Sequence, residues 1–254
     1  MSVSTIDLNV DAGESYGAWT MGDDAALFAE VSSANLACGF HAGDPGTIRT
    51  SLQLALAAGV AVGAHPGLAD LPGFGRRALA LSPQEVRDDT LYQVGALAAF
   101  VDAAGASLHH VKPHGALNTA VCETSDAHAE ALVDAVAVFD REVPVVAVAG
   151  SRLHRACERL GHPVVAEGFP DRAYAPDGSL VRRGAAGAVI HDPDLAAARA
   201  VRMALHGTVE AVDGSEIRVV VGTLCIHGDN PGSVATARAV RAALLRADVA
   251  IAAF

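Results

Sequence analysis

The sequence predicts an α/β chain folded as a single barrel of parallel strands wrapped by helices, and three observations carry that expectation. Short apolar, β-branched or small-residue runs alternate with long amphipathic stretches along the whole chain. Six of these runs end abruptly in clusters of His, Asp, Glu or Lys, at 8–14, 35–44, 63–66, 111–115, 167–172 and 225–231. The length of 254 residues suits one barrel, a fold that typically takes roughly 250. In such a barrel the C-terminal ends of the strands converge on one mouth, so residues far apart in sequence face one ligand. The pattern is that of an enzyme site.

Strands are expected at 6–10, 33–37, 61–64, 108–111, 145–149, 164–166 and 222–226, each short and bounded by Gly, Pro or polar residues. Between them the helices have readable starts. Asp44-Pro45 precedes a helix at 46–58, and Ser82-Pro83-Gln84-Glu85 combines a capping box with Pro at the first helical position. Ser125-Asp126 and Asp192-Pro193-Asp194 open two more. Gly59, Gly105 and Gly161 each follow the last apolar-periodic residue, where a left-handed cap suits glycine. Two stretches break the rhythm: 68–77, rich in Gly and Pro, and 173–190, which holds Tyr174, Pro176-Asp177-Gly178 and further glycines. Both are expected to pass over the barrel mouth. Residues 216–221 are β-rich and read either as the start of the last strand or as a separate edge strand. No linker or internal repeat divides the chain, so one domain is expected over 1–254.

The composition agrees. Hydrophobic residues make up 51% with only 4% aromatic, which suits helix–sheet packing by small interlocking side chains. The formal charge of −11 comes without any Lys/Arg run, which argues against a nucleic-acid partner. The first residues lack a basic region followed by an apolar core, and no stretch reaches the ~18 apolar residues of a membrane span. A cytoplasmic chain without membrane contact is expected. Cys38, Cys122, Cys157 and Cys225 are widely spaced with no Cys-x-x-Cys pair, and are read as core thiols. There is no phosphate-binding Gly-x-x-x-x-Gly-Lys loop, no Gly-x-Gly-x-x-Gly after a strand and no Gly-x-Ser-x-Gly elbow, so the chain itself carries no recognisable nucleotide site.

The strand-end clusters supply the candidate site. Asp11 and Glu14 flank Gly13 at the end of the first strand, where a carboxylate can be desolvated and tuned as a general base; capping of the next turn is their alternative use. Asn9 adds an amide. His41 lies between Gly39 and Gly43, which permit close backbone approach to a ligand, while Asp44 reads as a helix cap. His65 is aimed from a rigid position before Pro66. One histidine at a strand end is ordinarily structural, whereas several at separate ends point to a site. Lys112, followed by Pro113 and His114, can stabilise an oxyanion, hold a substrate carboxylate, or pair with Asp11, Glu14 or Glu167. Glu167 and Asp171 add acids, and Arg172 a guanidinium suited to bidentate binding. His227 closes the ring, with Asp229 placed to orient its imidazole. Asp11, His65 and His114, at three strand ends, also form an Asp/His/His set able to hold a divalent cation. His128, His154 and His206 fall within helical patterns and receive no role.

Several of these segments together resemble a known family. They are Asp7-Leu8-Asn9-Val10-Asp11-Ala12-Gly13-Glu14, Ala37-Cys38-Gly39-Phe40-His41-Ala42-Gly43-Asp44-Pro45, Val111-Lys112-Pro113-His114-Gly115-Ala116-Leu117 and Leu224-Cys225-Ile226-His227-Gly228-Asp229-Asn230-Pro231. With Gly63-Ala64-His65-Pro66, Gly73-Phe74-Gly75-Arg76-Arg77 and Glu167-Gly168-Phe169-Pro170-Asp171-Arg172, the chain resembles the LamB/YcsF family nearly end to end. It departs from the expected pattern at Gly67-Leu68-Ala69 and Asn118-Thr119, in loops that bear on substrate fit. The resemblance implies a TIM-like, seven-stranded parallel β/α barrel similar to the glycoside hydrolase/deacetylase superfamily. It also implies one component of a bacterial ATP-dependent 5-oxoprolinase, which opens the lactam of 5-oxo-L-proline to L-glutamate. ATP is then a co-substrate of the assembled complex, and subunits B and C are partners; a homo-oligomer is compatible with this reading.

On that reading Asp11 is the first choice for general base, with Glu14 or Glu167 in reserve. His41, His65, His114 and His227 donate protons or hold phosphoryl oxygens. Lys112 and Arg172 take the substrate carboxylate or offset developing charge, and Asn9, Asp171 and Asp229 complete the binding surface. The alternatives are a metal-dependent hydrolase or deacetylase using the Asp/His/His set, and a non-catalytic ligand-binding subunit.

Overall fold

The computed structural model describes residues 4–229 and 232–254. Asn230 and Pro231 of the last sequence cluster, and residues 1–3, lie outside the described residues. The strands are β1 (Ser4–Ala12), β2 (Ser33–Ala37), β3 (Ala61–His65), β4 (His110–Val111), β5 (Val145–Val148), β6 (Val164–Gly168), β7 (Thr208–Glu210), β8 (Glu216–Arg218), β9 (Thr223–Ile226) and β10 (Val249–Ile251). The helices are α1 (Asp24–Phe28), α2 (Pro45–Ala57), α3 (Pro83–Ala103), α4 (Asp126–Phe139), α5 (Arg152–Leu160), α6 (Pro193–His206) and α7 (Ser233–Arg246).

Seven strands close a parallel barrel in the order β1-β2-β3-β4-β5-β6-β9, because β9 pairs with β6 on one edge and with β1 on the other. The seven expected strands are these seven. β4 ends at Val111 as expected but starts at His110 rather than 108, and the His109 and Lys112 N–H groups on either side of it still donate to Val62 and Ala64 on β3. Residues 216–218 are not the start of the last strand but an arm of the antiparallel β7–β8 hairpin, Val209 opposite Ile217. β10 pairs in parallel with the first residues of β1, Ser4 opposite Val249, and carries the Phe254 ring against His109 and His110.

Alternation along β1 explains how the barrel positions chemistry. Successive side chains of a strand point to opposite faces. Ile6, Leu8 and Val10 enter the apolar cluster shared with the surrounding helices. Asp7, Asn9 and Asp11 take the other face, inside the barrel, and all three are buried. The inward side chains are therefore polar where many barrels are filled with aliphatic ones.

Helix ends follow the sequence signals. Asp44 caps α2 by accepting from Gly46 and Thr47 N–H groups, and Asp192 caps α6 in the same way. Ser82 and Glu85 form the reciprocal capping box of α3. Ser125 stands at the N-cap of α4, but its hydroxyl meets His128 Nδ1 at 2.7 Å instead of the helix backbone. Gly59, Gly105 and Gly161 adopt φ of 71°, 73° and 64° after their helices. All four cysteines are buried free thiols, and no helix among the described residues is long and apolar enough to cross a membrane.

The barrel interior also holds His110, whose ring lies against Gly63 of β3; a Cβ there would stand 2.2 Å from His110 Nε2. Asn35 Nδ2 donates to Asn9 Oδ1 (2.7 Å) and Asp11 Oδ1 (2.9 Å), so its carbonyl oxygen faces His110 Nε2 at 2.6 Å. The ring nitrogen therefore carries its proton there. Burial holds the His110 pKa well below the usual histidine value. A buried neutral histidine stabilises the fold above its unfolded pKa of about 6.5, and that contribution is lost as pH falls toward the folded value. Below about pH 6.5 the unfolded chain takes up a proton at this residue that the folded chain does not, so stability should fall as the pH is lowered. Urea unfolding at several pH values should show a shallower acid loss for His110→Gln than for the unsubstituted chain; equal slopes would contradict the assignment.

Candidate active site

The floor of the barrel mouth is built on Lys112, which leaves β4 just before Pro113 and is 3% exposed. Its Nζ lies 2.8 Å from Asp11 Oδ1 at the end of β1, 2.7 Å from Glu167 Oε1 on β6, 3.0 Å from Cys225 Sγ on β9 and 3.2 Å from Asn9 Oδ1. Of the three carboxylates expected as partners, the ammonium takes Asp11 and Glu167. Burial opposes the charge on Asp11, but the His65 imidazole and Lys112 outweigh it and hold its carboxyl well below the usual range. Burial likewise opposes the Lys112 charge, and Asp11, Cys225 and Glu167 more than restore it. Glu167 is raised by burial, with Lys112 offsetting part of the rise, and its Oε2 is buried with no hydrogen-bond partner. Burial, with the Asp11 charge added, pushes the Cys225 thiol far up, so it stays protonated as a core thiol.

Beside this floor stands a second group: Glu14, His41, His65 and His114, all buried. Gly13 turns the chain after β1 with φ 66°, which carries Glu14 away from Lys112 and toward the imidazoles. His65 Nδ1 lies 2.7 Å from the Lys112 carbonyl oxygen, and His114 Nε2 lies 2.8 Å from that of Phe74. A carbonyl only accepts, so each ring carries a proton on that nitrogen. The remaining nitrogens, His65 Nε2 and His114 Nδ1, face each other at 3.0 Å. Glu14 Oε1 stands 3.5 Å from both His114 Nδ1 and His41 Nε2, and Asp11 Oδ2 is 3.4 Å from His65 Nε2.

His41 lies flat on His114, with ring centroids 3.8 Å apart and planes 1° from parallel. Its neighbours must be glycines. A Cβ at Gly67 would fall 2.3 Å from His41 Nδ1, and one at Gly75, where φ is 61°, would fall 2.8 Å from His41 Cβ. Burial, then the neighbouring imidazoles, push the His41 and His114 pKa values well below the usual range, so both rings are neutral near pH 7. Burial and the charges of Asp11 and Asp229 push Glu14 well above the ordinary carboxyl value.

At the rim the partners differ from those expected. His227 Nδ1 meets Asp171 Oδ2 at 2.8 Å, so Asp171, not Asp229, orients the imidazole. The chain presses onto β1 at Gly228, where a Cβ would stand 2.4 Å from the Asp11 carbonyl oxygen, and this turn carries Asp229 outward. Asp229 pairs with Arg76 and lies 3.6 Å from Arg183. Arg172 does not stand free as an anion clamp: its Nε and Nη2 donate to the carbonyls of Ala188 (3.2 Å) and Val181 (2.7 Å), tying down the 173–190 excursion.

Above these groups opens a cavity of about 630 Å³ bordered by Asp11, His65, Lys112, Glu167, Phe169 and His227. Both excursions close over it as expected, and they bring Arg76, Arg182 and Arg183 to its wall. Sequence reasoning assigned those arginines no role. The available signal was a pair of adjacent arginines beside a glycine in each excursion, Gly75-Arg76-Arg77 and Arg182-Arg183-Gly184.

Among the described residues, two groups bring donor atoms within 4.8 Å of one another as a metal site would: Glu14/His41/His65/His114 and Asp11/Cys225/His227. The second lies against the Lys112 ammonium, 2.8 Å from Asp11 and 3.0 Å from Cys225, and suits a cation poorly. The Asp11/His65/His114 set shares that handicap at Asp11, whereas His65 and His114 belong to the first group.

Comparison with known proteins places the chain. Residues 6–254 match the model of the LamB/YcsF family. The 5-oxoprolinase A-subunit from a Thermus thermophilus strain is 55% identical over 98% of this chain and 99% of its own length. That from Heliobacterium modesticaldum is 53% identical over 97% and 96%. The crystal structure of a lactam utilization protein from Thermus thermophilus superposes with a TM-score of 0.94 at 53% identity, covering 98% of this chain and all of that one. The T48 deacetylase, with a TM-score of 0.51 and 12% identity over 98% of this chain and 87% of that one, shares the fold alone. From these matches, which run nearly end to end, the chain belongs to the LamB/YcsF family.

Proposed function

We propose that this chain is the lactam-binding component of an ATP-dependent 5-oxoprolinase and opens 5-oxo-L-proline to L-glutamate at the barrel mouth. The observation that carries the reading is a buried ammonium between two carboxylates under an arginine-walled cavity, in a chain about half identical over nearly its whole length to proteins named as the A-subunit of 5-oxoprolinase. A five-membered lactam is resonance-stabilised and its nitrogen leaves poorly. Opening it requires activation of the carbonyl, a base for the attacking water and a proton for the departing nitrogen.

Activation belongs to partner subunits B and C, which would transfer a phosphoryl group from ATP to the amide oxygen, since this chain has no phosphate-binding loop. The remaining tasks fall to the mouth. Lys112 offsets negative charge that builds on the reacting oxygens. Asp11 is kept ionised by its neighbours and takes a proton from water as the new C–O bond forms. Glu167 is the second carboxylate within reach of the same cavity. His227, oriented by Asp171, protonates the ring nitrogen as the C–N bond breaks, leaving an acyl phosphate that a second water hydrolyses to L-glutamate and inorganic phosphate. The carboxylate of 5-oxoproline meets the arginine wall, where Arg183 and Arg76 supply charge-assisted donors.

The direct assay is ATP-dependent opening of 5-oxo-L-proline by subunits B and C with this chain added or omitted. Turnover should require the chain, and Asp11→Asn should lower kcat by about 10²- to 10⁴-fold while the far-UV circular dichroism is kept. Wild-type-like turnover by the folded variant would remove Asp11 from the chemistry. Arg183→Met should raise KM for 5-oxo-L-proline by about 10-fold or more, the worth of one charged hydrogen bond, with kcat little changed. Neutral 2-pyrrolidinone lacks the carboxylate and should be handled equally by both forms; an unchanged KM for 5-oxo-L-proline would move its carboxylate elsewhere.

A further inference from the structure

The geometry points to a divalent-cation site formed by Glu14, His65 and His114, with His41 as the fourth ligand. Four separate segments bring the donors together: the end of β1, the loop after β2, the end of β3 and the turn after β4.

Hydrogen bonding decides which way the lone pairs point. His65 and His114 each give one N–H to a backbone carbonyl, of Lys112 and Phe74. This is the outer contact that commonly orients a metal-bound imidazole. Their other nitrogens then present lone pairs to each other across 3.0 Å, an arrangement that is repulsive unless a proton or a cation stands there. A single proton between the two rings would leave the rest of the group unanswered. Glu14 Oε1 and both nitrogens of His41 are buried with no hydrogen-bond partner, and polar atoms buried in that state are costly. One cation answers Glu14 Oε1 and one of the two His41 nitrogens together with the facing nitrogens of His65 and His114.

The spacings fit such an ion. Ligands about 2.0–2.1 Å from a tetrahedral centre stand about 3.3 Å from one another. The observed separations are 3.0 Å for His65–His114, 3.5 Å for Glu14–His114 and 3.5 Å for Glu14–His41. His41 must leave its parallel stack on His114 for its lone pair to meet the ion. Three imidazoles and one carboxylate form a donor set for a borderline first-row ion such as Zn²⁺ rather than Ca²⁺ or Mg²⁺, which prefer oxygen. His65 and His114 border the large cavity, so a bound ion would lie within reach of its contents. When bound it could polarise a carbonyl or acidify a water.

The test reads metal binding by the full-length chain alone, without ATP, lactam or partner subunits, so its failure leaves the lactam-opening reading standing and the converse also holds. Chelator-treated protein is titrated with Zn²⁺ by calorimetry and by competition with a chromophoric chelator. One equivalent should bind with submicromolar Kd, and Glu14→Gln and His114→Ala should each weaken it by at least about 100-fold. His206→Ala, on the outer helix α6, should leave it unchanged and so marks adventitious sites. Melting curves without metal check that each variant folds, and Zn²⁺ should raise the melting temperature of the unsubstituted chain and of His206→Ala, and raise that of Glu14→Gln and His114→Ala far less. Anomalous diffraction at the zinc edge should place one peak among the four side chains. No stoichiometric binding, equal binding by Glu14→Gln and His114→Ala, or a peak elsewhere would overturn the proposal.

Discussion

The arrangement of the mouth depends on one buried charge. Lys112 places its ammonium where β1, β4, β6 and β9 approach each other, and joins Asp11 to Glu167 across the barrel. An ammonium taken out of water is tolerated only when paired and hydrogen-bonded, and the two carboxylates are bound by the same condition. Removing the cation would leave two buried acids facing each other without a counter-charge; breaking such a pair typically costs about 3–5 kcal/mol. The inward register of β1 follows from this, since shifting it by one residue would turn Asp11 outward among the helices and bring Val10 over Lys112.

The same pairing separates the titratable groups into unlike neighbours. On the Lys112 side Asp11 is held ionised by surrounding positive charge. On the other side Glu14 has only a distant counter-charge and three buried, neighbouring imidazoles. His65 touches both halves, through the Lys112 carbonyl on one ring nitrogen and Asp11 on the other. The interior thus holds a polar chain running from His110 through Asn35 to Asp11 and Lys112. Such networks fix geometry when every member is satisfied and are expensive when one is not. That accounts for the glycines at 63, 67 and 75, which leave room for rings that could not otherwise lie where they do.

Much of this was legible in the sequence. Each strand is short, apolar and stopped by Gly, Pro or a polar cluster, so the seven strands of the barrel and the convergence of their ends could be read directly. Lys112, Asp11 and Glu167 were named as partners because strand ends meet at one mouth. Other features needed three dimensions. Glu14 stood equally close to Lys112 in the sequence pattern, and only the turn at Gly13 sends it to the histidines instead. Asp229 lies two residues from His227, but the chain bends at Gly228 and Asp171, fifty-six residues away, takes the imidazole. The arginine wall escaped because excursions carry no hydrophobic period from which a path can be traced, and of the β7–β8 hairpin only the second arm was legible, as the separate edge strand that 216–221 allowed.

The most direct measurement is a crystal structure of the chain with 5-oxo-L-proline. The account predicts the ring in the cavity above Lys112, its carbonyl oxygen within hydrogen-bond distance of Nζ and its carboxylate against Arg76 or Arg183. Density for the lactam in the separate cavity bordered by Ser151, His154 and Arg218, with Lys112, Asp11 and Glu167 untouched, would contradict it.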